Sequence, residues 1–73
     1  GAGQPATLHD RLSDREMEVL RLLGRGKSVS AIAAEMALSV KTVSTYRTRL
    51  LDKLGLTSTA DVIRYAIEHR LAT

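Results

Sequence analysis

Cysteine, tryptophan and phenylalanine are absent from this 73-residue chain, and proline occurs once, at Pro5. Without cysteine there is no disulfide, no thiol nucleophile and no zinc-finger ligand set, a pattern that suits a reducing cytoplasm, where the chain is expected to reside. Two tyrosines are the only aromatic residues, so the core has to be built from Leu, Val, Ile, Ala and Met. No apolar run approaches the roughly 20 residues of a membrane span, and no signal-peptide pattern is visible. Imidazoles are scarce as well: His9 lies near one end and His69 near the other. Neither has a carboxylate-plus-hydroxyl pattern or a second metal ligand at helical spacing, so both are expected to be solvated. No enzyme activity, cofactor or metal is expected.

What is present is enough apolar material for one small domain. Hydrophobic residues make up 44% of the chain, and 73 residues lie near the lower limit for folding without staples. The net charge of +3 is modest, but it is unevenly placed. Between positions 25 and 53 stand six bases (Arg25, Lys27, Lys41, Arg47, Arg49, Lys53) and two acids (Glu35, Asp52), which gives that segment +4 and leaves −1 for the rest. The positive field therefore belongs to one region.

The chain is organised around the stretch 39–54, SVKTVSTYRTRLLDKL. Ser39 can cap a helix N-terminus, and Gly55 can close it in the left-handed region. At about 100° per residue, Val43, Leu50, Leu51 and Leu54 gather on one side. Lys41, Ser44, Thr45, Thr48, Arg49 and Asp52 gather on the other, which mixes cations with short hydroxyls rather than the long Glu/Lys pairs of a solvated helix face. Such a face suits nucleic acid, because short hydroxyls let the backbone approach base edges while cations straddle phosphates. Ser44, Thr45 and Thr48 are the expected base readers. Lys41, Thr42, Arg47, Arg49 and Lys53 are the expected phosphate contacts, with Arg47 lying along the core edge and reaching outward. Tyr46, at the opposite edge, can offer its hydroxyl to a phosphate or half-bury its ring in the core.

Three further helices are expected around this one. Residues 1–11 read as a flexible tail or linker following a longer chain, and residues 12–73 as the folded domain. Ser13 and Glu16 form a capping box for a helix from about Asp14 to Gly24, with Leu12, Val19, Leu20 and Leu23 as its buried stripe. The run Gly24-Arg25-Gly26-Lys27-Ser28 contains Gly-Lys-Ser, but the first glycine of a phosphate loop is missing (position 21 is Arg) and no strand precedes it. It reads as a helix-ending turn, with Ser28 capping a second helix to Met36 and Lys27 as a further phosphate contact. Ala37-Leu38-Ser39 then forms a tight connection, so that a short helix, a three-residue turn and a basic helix make a helix-turn-helix. Ser58 and Asp61 form a second, weaker capping box for a helix from about Thr59 to Arg70. There Ile63 and Ala66 point inward, and Val62, Tyr65 and Ile67 are left for dimerisation. The expected fold is all-α, a four-helix bundle containing a helix-turn-helix.

The ordered motifs Leu12-Ser13-x-Arg15-Glu16-x-Glu18-Val19-Leu20, Ile32-Ala33, Ser39-x-Lys41-Thr42-Val43 and Lys53-Leu54-Gly55 strongly resemble the LuxR-type helix-turn-helix. That is the output domain of quorum-sensing regulators and of NarL/FixJ-type two-component response regulators. The ending Tyr65-Ala66-Ile67-Glu68-His69 looks more like the latter. The resemblance covers about Leu12 to Leu71 and implies bacterial transcription control: double-stranded DNA as partner, the third helix in the major groove and the fourth often dimerising. It also implies a receiver or sensor domain on the N-terminal side and RNA polymerase as a further candidate partner. Three departures stand out. Ala31 replaces a frequent Glu, and Ala37 a frequent Gly that, if left-handed, alanine strains by roughly 1 kcal/mol. Ser44 and Thr48 stand where lysine is common on the reading face. The rival to DNA binding is a helical protein-interaction module using the apolar stripe of the fourth helix.

Overall fold

The computed structural model describes residues 7–72, which form four α-helices preceded by one 3₁₀ turn. Helix α1 spans Asp14–Gly24, α2 Val29–Met36, α3 Val40–Leu54 and α4 Thr59–Glu68. Every helix starts the same way. Ser13, Ser28, Ser39 and Ser58 sit in extended backbone, and each hydroxyl accepts a bond from the N–H three residues on. This satisfies a donor that the first turn leaves open. At Ser13 the box is complete, since Glu16 Oε1 accepts from the Ser13 N–H at 2.8 Å. At Ser58 it is half complete: the Asp61 carboxylate turns to the Thr57 N–H and hydroxyl instead, at 3.4 and 3.0 Å.

The helix ends also follow one pattern. In each case an N–H reaches the carbonyl five residues back and the preceding N–H reaches one three residues back: Lys27 to Leu22, Leu38 to Ala33, Leu56 to Leu51 and Leu71 to Ala66 for the longer bond. This closure needs a left-handed residue. Gly26 and Gly55 supply it after α1 and α3, whereas Ala37 (φ 56°) and Arg70 (φ 57°) adopt it after α2 and α4. The fourth helix consequently ends at Glu68, two residues before the expected Arg70, because Arg70 is the left-handed closing residue and no glycine announces it.

The core is one aliphatic cluster drawn from all four helices. Val19, Leu20, Leu22 and Leu23 of α1 meet Ile32, Ala33 and Met36 of α2, Val43, Leu50 and Leu54 of α3, and Val62 and Ala66 of α4. Helix α1 packs on α4 and α3, and α2 leans on α3 through the turn Ala37–Ser39. Gly24 lets α1 and α4 approach: a Cβ there would lie 2.6 Å from the Ala66 Cβ and 3.0 Å from the Ala72 Cβ. Of the expected tail, residues 1–6 lie outside the described residues, while Leu8–Arg11 form the 3₁₀ turn and pack beside α3. The effect of this arrangement is to fix α3 through its apolar side and that side's edges and to leave the opposite side open.

Candidate nucleic-acid interface

Helix α3 buries Val43, Leu50 and Leu54 and half-buries Leu51, as its period requires. Opposite them, Lys41, Thr45, Thr48, Arg49 and Asp52 are exposed and Ser44 is half-exposed. Among the described residues, Lys41, Arg49 and Asp52 have no partner within the protein, and neither does the Ser44 hydroxyl. The threonines behave differently. Thr45 donates its hydroxyl proton to the Lys41 carbonyl at 3.0 Å and Thr48 to the Ser44 carbonyl at 3.0 Å. Thr42 is half-buried in the first turn, its hydroxyl 2.8 Å from that of the capping Ser39.

The remaining expected contacts have protein partners. The Arg47 guanidinium donates through Nε and Nη2 to the Thr59 hydroxyl, at 3.1 and 2.8 Å, and so ties α3 to the first turn of α4. The Tyr46 ring packs against the core. Lys27 pairs with Glu35 at 2.9 Å.

Lys53, expected on a phosphate, instead donates to Glu16 at 2.7 Å and to the Arg11 carbonyl at 3.4 Å. The Glu16 side chain is only 3% exposed. Burial is the largest influence on that carboxyl and pushes its pKa up, but the Lys53 hydrogen bond and charge and the Ser13 backbone outweigh it, so the group stays below its ordinary value. A buried capping carboxylate and a partly exposed lysine 37 residues away in the chain thus form one ion pair that joins α1, α3 and the 3₁₀ turn. Chain position gave no sign of it, because the capping box had already accounted for Glu16.

On α4 the expected dimer face is corrected in part. Val62 is fully buried, since it lies one turn before Ala66 on the inward side. Tyr65 is half-buried, and its hydroxyl lies 2.9 Å from His9 Nδ1. The ring also stacks at 4.2 Å on His69, which itself lies 5.3 Å from His9, edge to face. His69 is exposed, as expected, whereas His9 is half-buried and meets Tyr65 and His69, an association concealed by the 56 positions between His9 and Tyr65. Burial raises the Tyr65 pKa. Ile67 alone of the three stands clear, 63% exposed. Val40, at the start of α3, is a surface apolar residue outside both expected sets, at 49% exposure. Its place one residue past the Ser39 cap, before the helix has turned its inner side to the core, is the signal that could have found it.

The described residues contain no helix long and apolar enough to cross a membrane. Residues 10–66 match the family described as bacterial regulatory proteins, luxR family. The chain is 51% identical over 71 residues to the virulence factors putative positive transcription regulator BvgA of Bordetella pertussis, a match covering 97% of this chain and 34% of that protein. It is 47% identical over 66 residues to a putative transcriptional regulator of Pseudomonas aeruginosa, covering 90% of this chain and 32% of that protein. The oxygen regulatory protein NreC of Staphylococcus aureus is 40% identical over 60 residues, 82% of this chain and 28% of its own length. The chain thus spans about a third of the length of these relatives.

Proposed function

This chain belongs to the luxR family of bacterial regulatory proteins, and from that premise we propose that it binds double-stranded DNA sequence-specifically as the output domain of a two-component response regulator. The observation that carries the reading is the open side of α3, where two unpaired cations flank a row of hydroxyls on a helix whose other side is fixed in the core. A helix of this width fits the major groove. Ser44, Thr45 and Thr48 read base edges. Lys41 and Arg49 neutralise phosphates, and Thr42 and Tyr46 lie at the edges of the same surface. Arg47 has one guanidinium nitrogen left over from Thr59 for a phosphate. Lys53 and Lys27 are left out of the phosphate set because Glu16 and Glu35 hold them.

The fourth helix is the proposed contact with a second copy, through Ile67 rather than Val62. A two-fold dimer would place two α3 helices on half-sites about one turn of DNA apart. In this reading a receiver domain lies on the N-terminal side, RNA polymerase is a further partner, and the protein works in the cytoplasm without catalysis or cofactor. Selection of bound duplexes from a random pool, followed by a salt titration on the winner, tests the proposal. A preferred sequence and a steep decline of affinity with salt are expected. Binding to no duplex at low salt would leave the protein-interaction module as the better reading. For the dimer, Ile67→Asp should remove cooperative filling of paired half-sites and keep single-site binding.

A further inference from the structure

We infer that Thr45 and Thr48 select A·T base pairs at neighbouring positions, each accepting a hydrogen bond from the adenine amine and laying its methyl on a thymine methyl. The inference rests on the DNA-binding reading above and adds the class of base pair that the site takes.

A threonine hydroxyl has one proton and two lone pairs. In both residues the proton is already donated inside the helix, to the Lys41 and Ser44 carbonyls. What each exposed threonine can offer a partner is therefore an acceptor oxygen and a methyl group, and no donor. The major-groove edges of the base pairs respond to this differently. A G·C pair presents the O6 and N7 acceptors of guanine and no methyl, with the cytosine amine as its one donor. An A·T pair presents two acceptors as well, adenine N7 and thymine O4, and one donor, the adenine amine, but it adds the thymine methyl. An acceptor brought against guanine, adenine N7 or thymine O4 meets no proton, which costs affinity once water is excluded, so the oxygen has to sit on an amine and the methyl is what separates A·T from G·C. Against A·T both features of the threonine are used.

A second observation points the same way. Val40 carries an exposed isopropyl group at the tip of α3, one turn before Ser44 and two turns before Thr48 on the same flank. It extends the apolar part of the reading face, and a thymine methyl is the groove feature that apolar groups contact. Ser44 between them keeps an undonated proton, so that position is the tolerant one and can face a donor or an acceptor. Thr45 and Thr48 are three residues apart, about 4.5 Å along the helix axis. Base pairs stack about 3.4 Å apart, so the two threonines address adjacent pairs.

The test begins with duplexes selected by the unaltered chain, where two adjacent A·T pairs are expected within each half-site. In the selected duplex, thymine is replaced at those positions by deoxyuridine, which lacks only the methyl, and adenine by unsubstituted purine, which lacks only the amine. Each lost methyl should weaken binding about fourfold, and each lost amine about two- to tenfold. Thr45→Val and Thr48→Val keep the methyl and lose the oxygen. They should become indifferent to the amine while still sensing deoxyuridine, and Thr→Ser at the same positions should do the reverse. Selection of G·C pairs at both positions, or a valine variant that still senses the amine, would overturn the inference. Steep salt-dependent binding with no base preference would sink it and leave DNA binding standing, whereas absence of any salt-dependent duplex binding would remove both.

Discussion

On α3, Lys41 and Arg49 extend into solvent without a partner among the described residues, whereas Arg47 and Lys53 are held by neighbouring elements. The four cations share one helix and one sign of charge, yet they belong to two regions. The seam that carries Arg47 and Lys53 joins α3 to Thr59 at the start of α4 and to Glu16 near the start of α1. The open side carries Lys41 and Arg49 on either side of the hydroxyls. The difference shows that a positive segment is not a single functional surface. Part of it ties α3 to its neighbours, and only the remainder is free to meet a polyanion.

The largest effect expected from breaking the seam is at Lys53. Removing one partner of a buried pair costs 3–5 kcal/mol in general. Because the Lys53 side chain is 38% exposed, Lys53→Met should cost about 2–3 kcal/mol, below that range, as read from the urea midpoint. The same variant sharpens the comparison through pH. Glu16 in the folded chain sits below its ordinary pKa of 4.5, so its contribution is present above that value and is lost as pH falls through the folded one. The unaltered chain should therefore lose stability on acidification below about 4.5, and Lys53→Met should lose less over the same interval, because the lysine is the chief influence lowering the pKa. An unchanged acid limb would show that the pair contributes nothing.

Next in size is Gly24→Ala, which drives a methyl against Ala66 and Ala72 where α1 and α4 meet. Overpacking of this kind costs about 1–3 kcal/mol, and thermal unfolding measures it. A neutral outcome would mean that α4 is free to shift away from α1. The smallest effect has the opposite sign. Ala37 holds a left-handed backbone at φ 56° without steric need for its methyl. Ala37→Gly should stabilise by up to about 1 kcal/mol, reduced by the extra freedom glycine brings to the unfolded chain. A destabilised Ala37→Gly would indicate that the turn between α2 and α3 relies on the methyl.

Much of the fold was legible because local chemistry decides it. Four serines mark four helix starts, and the leucine and valine spacing of α1 and α3 identifies their buried sides. What was not legible depends on pairs far apart in the chain. Nothing in the surroundings of Lys53 names Glu16, and nothing near His9 names Tyr65 or His69. The end of α4 was missed for a local reason, since arginine gives no hint of a left-handed residue as glycine does. Val62 was misplaced because on an apolar helix periodicity gives relative angles but not which side faces the core. The open side of α3 was read from composition and spacing, and the direction in which its hydroxyl protons point came only with the structure.

The division of the α3 cations is tested most directly by the dependence of duplex affinity on salt, measured alongside unfolding, for the unaltered chain and for Lys41→Ala/Arg49→Ala. Each phosphate contact contributes about 0.9 to the slope of log K against log salt. The double variant should lose about 1.8 of that slope and unfold within about 0.5 kcal/mol of the unaltered chain. A slope that stays unchanged, or a double variant that unfolds as readily as Lys53→Met, would contradict the account.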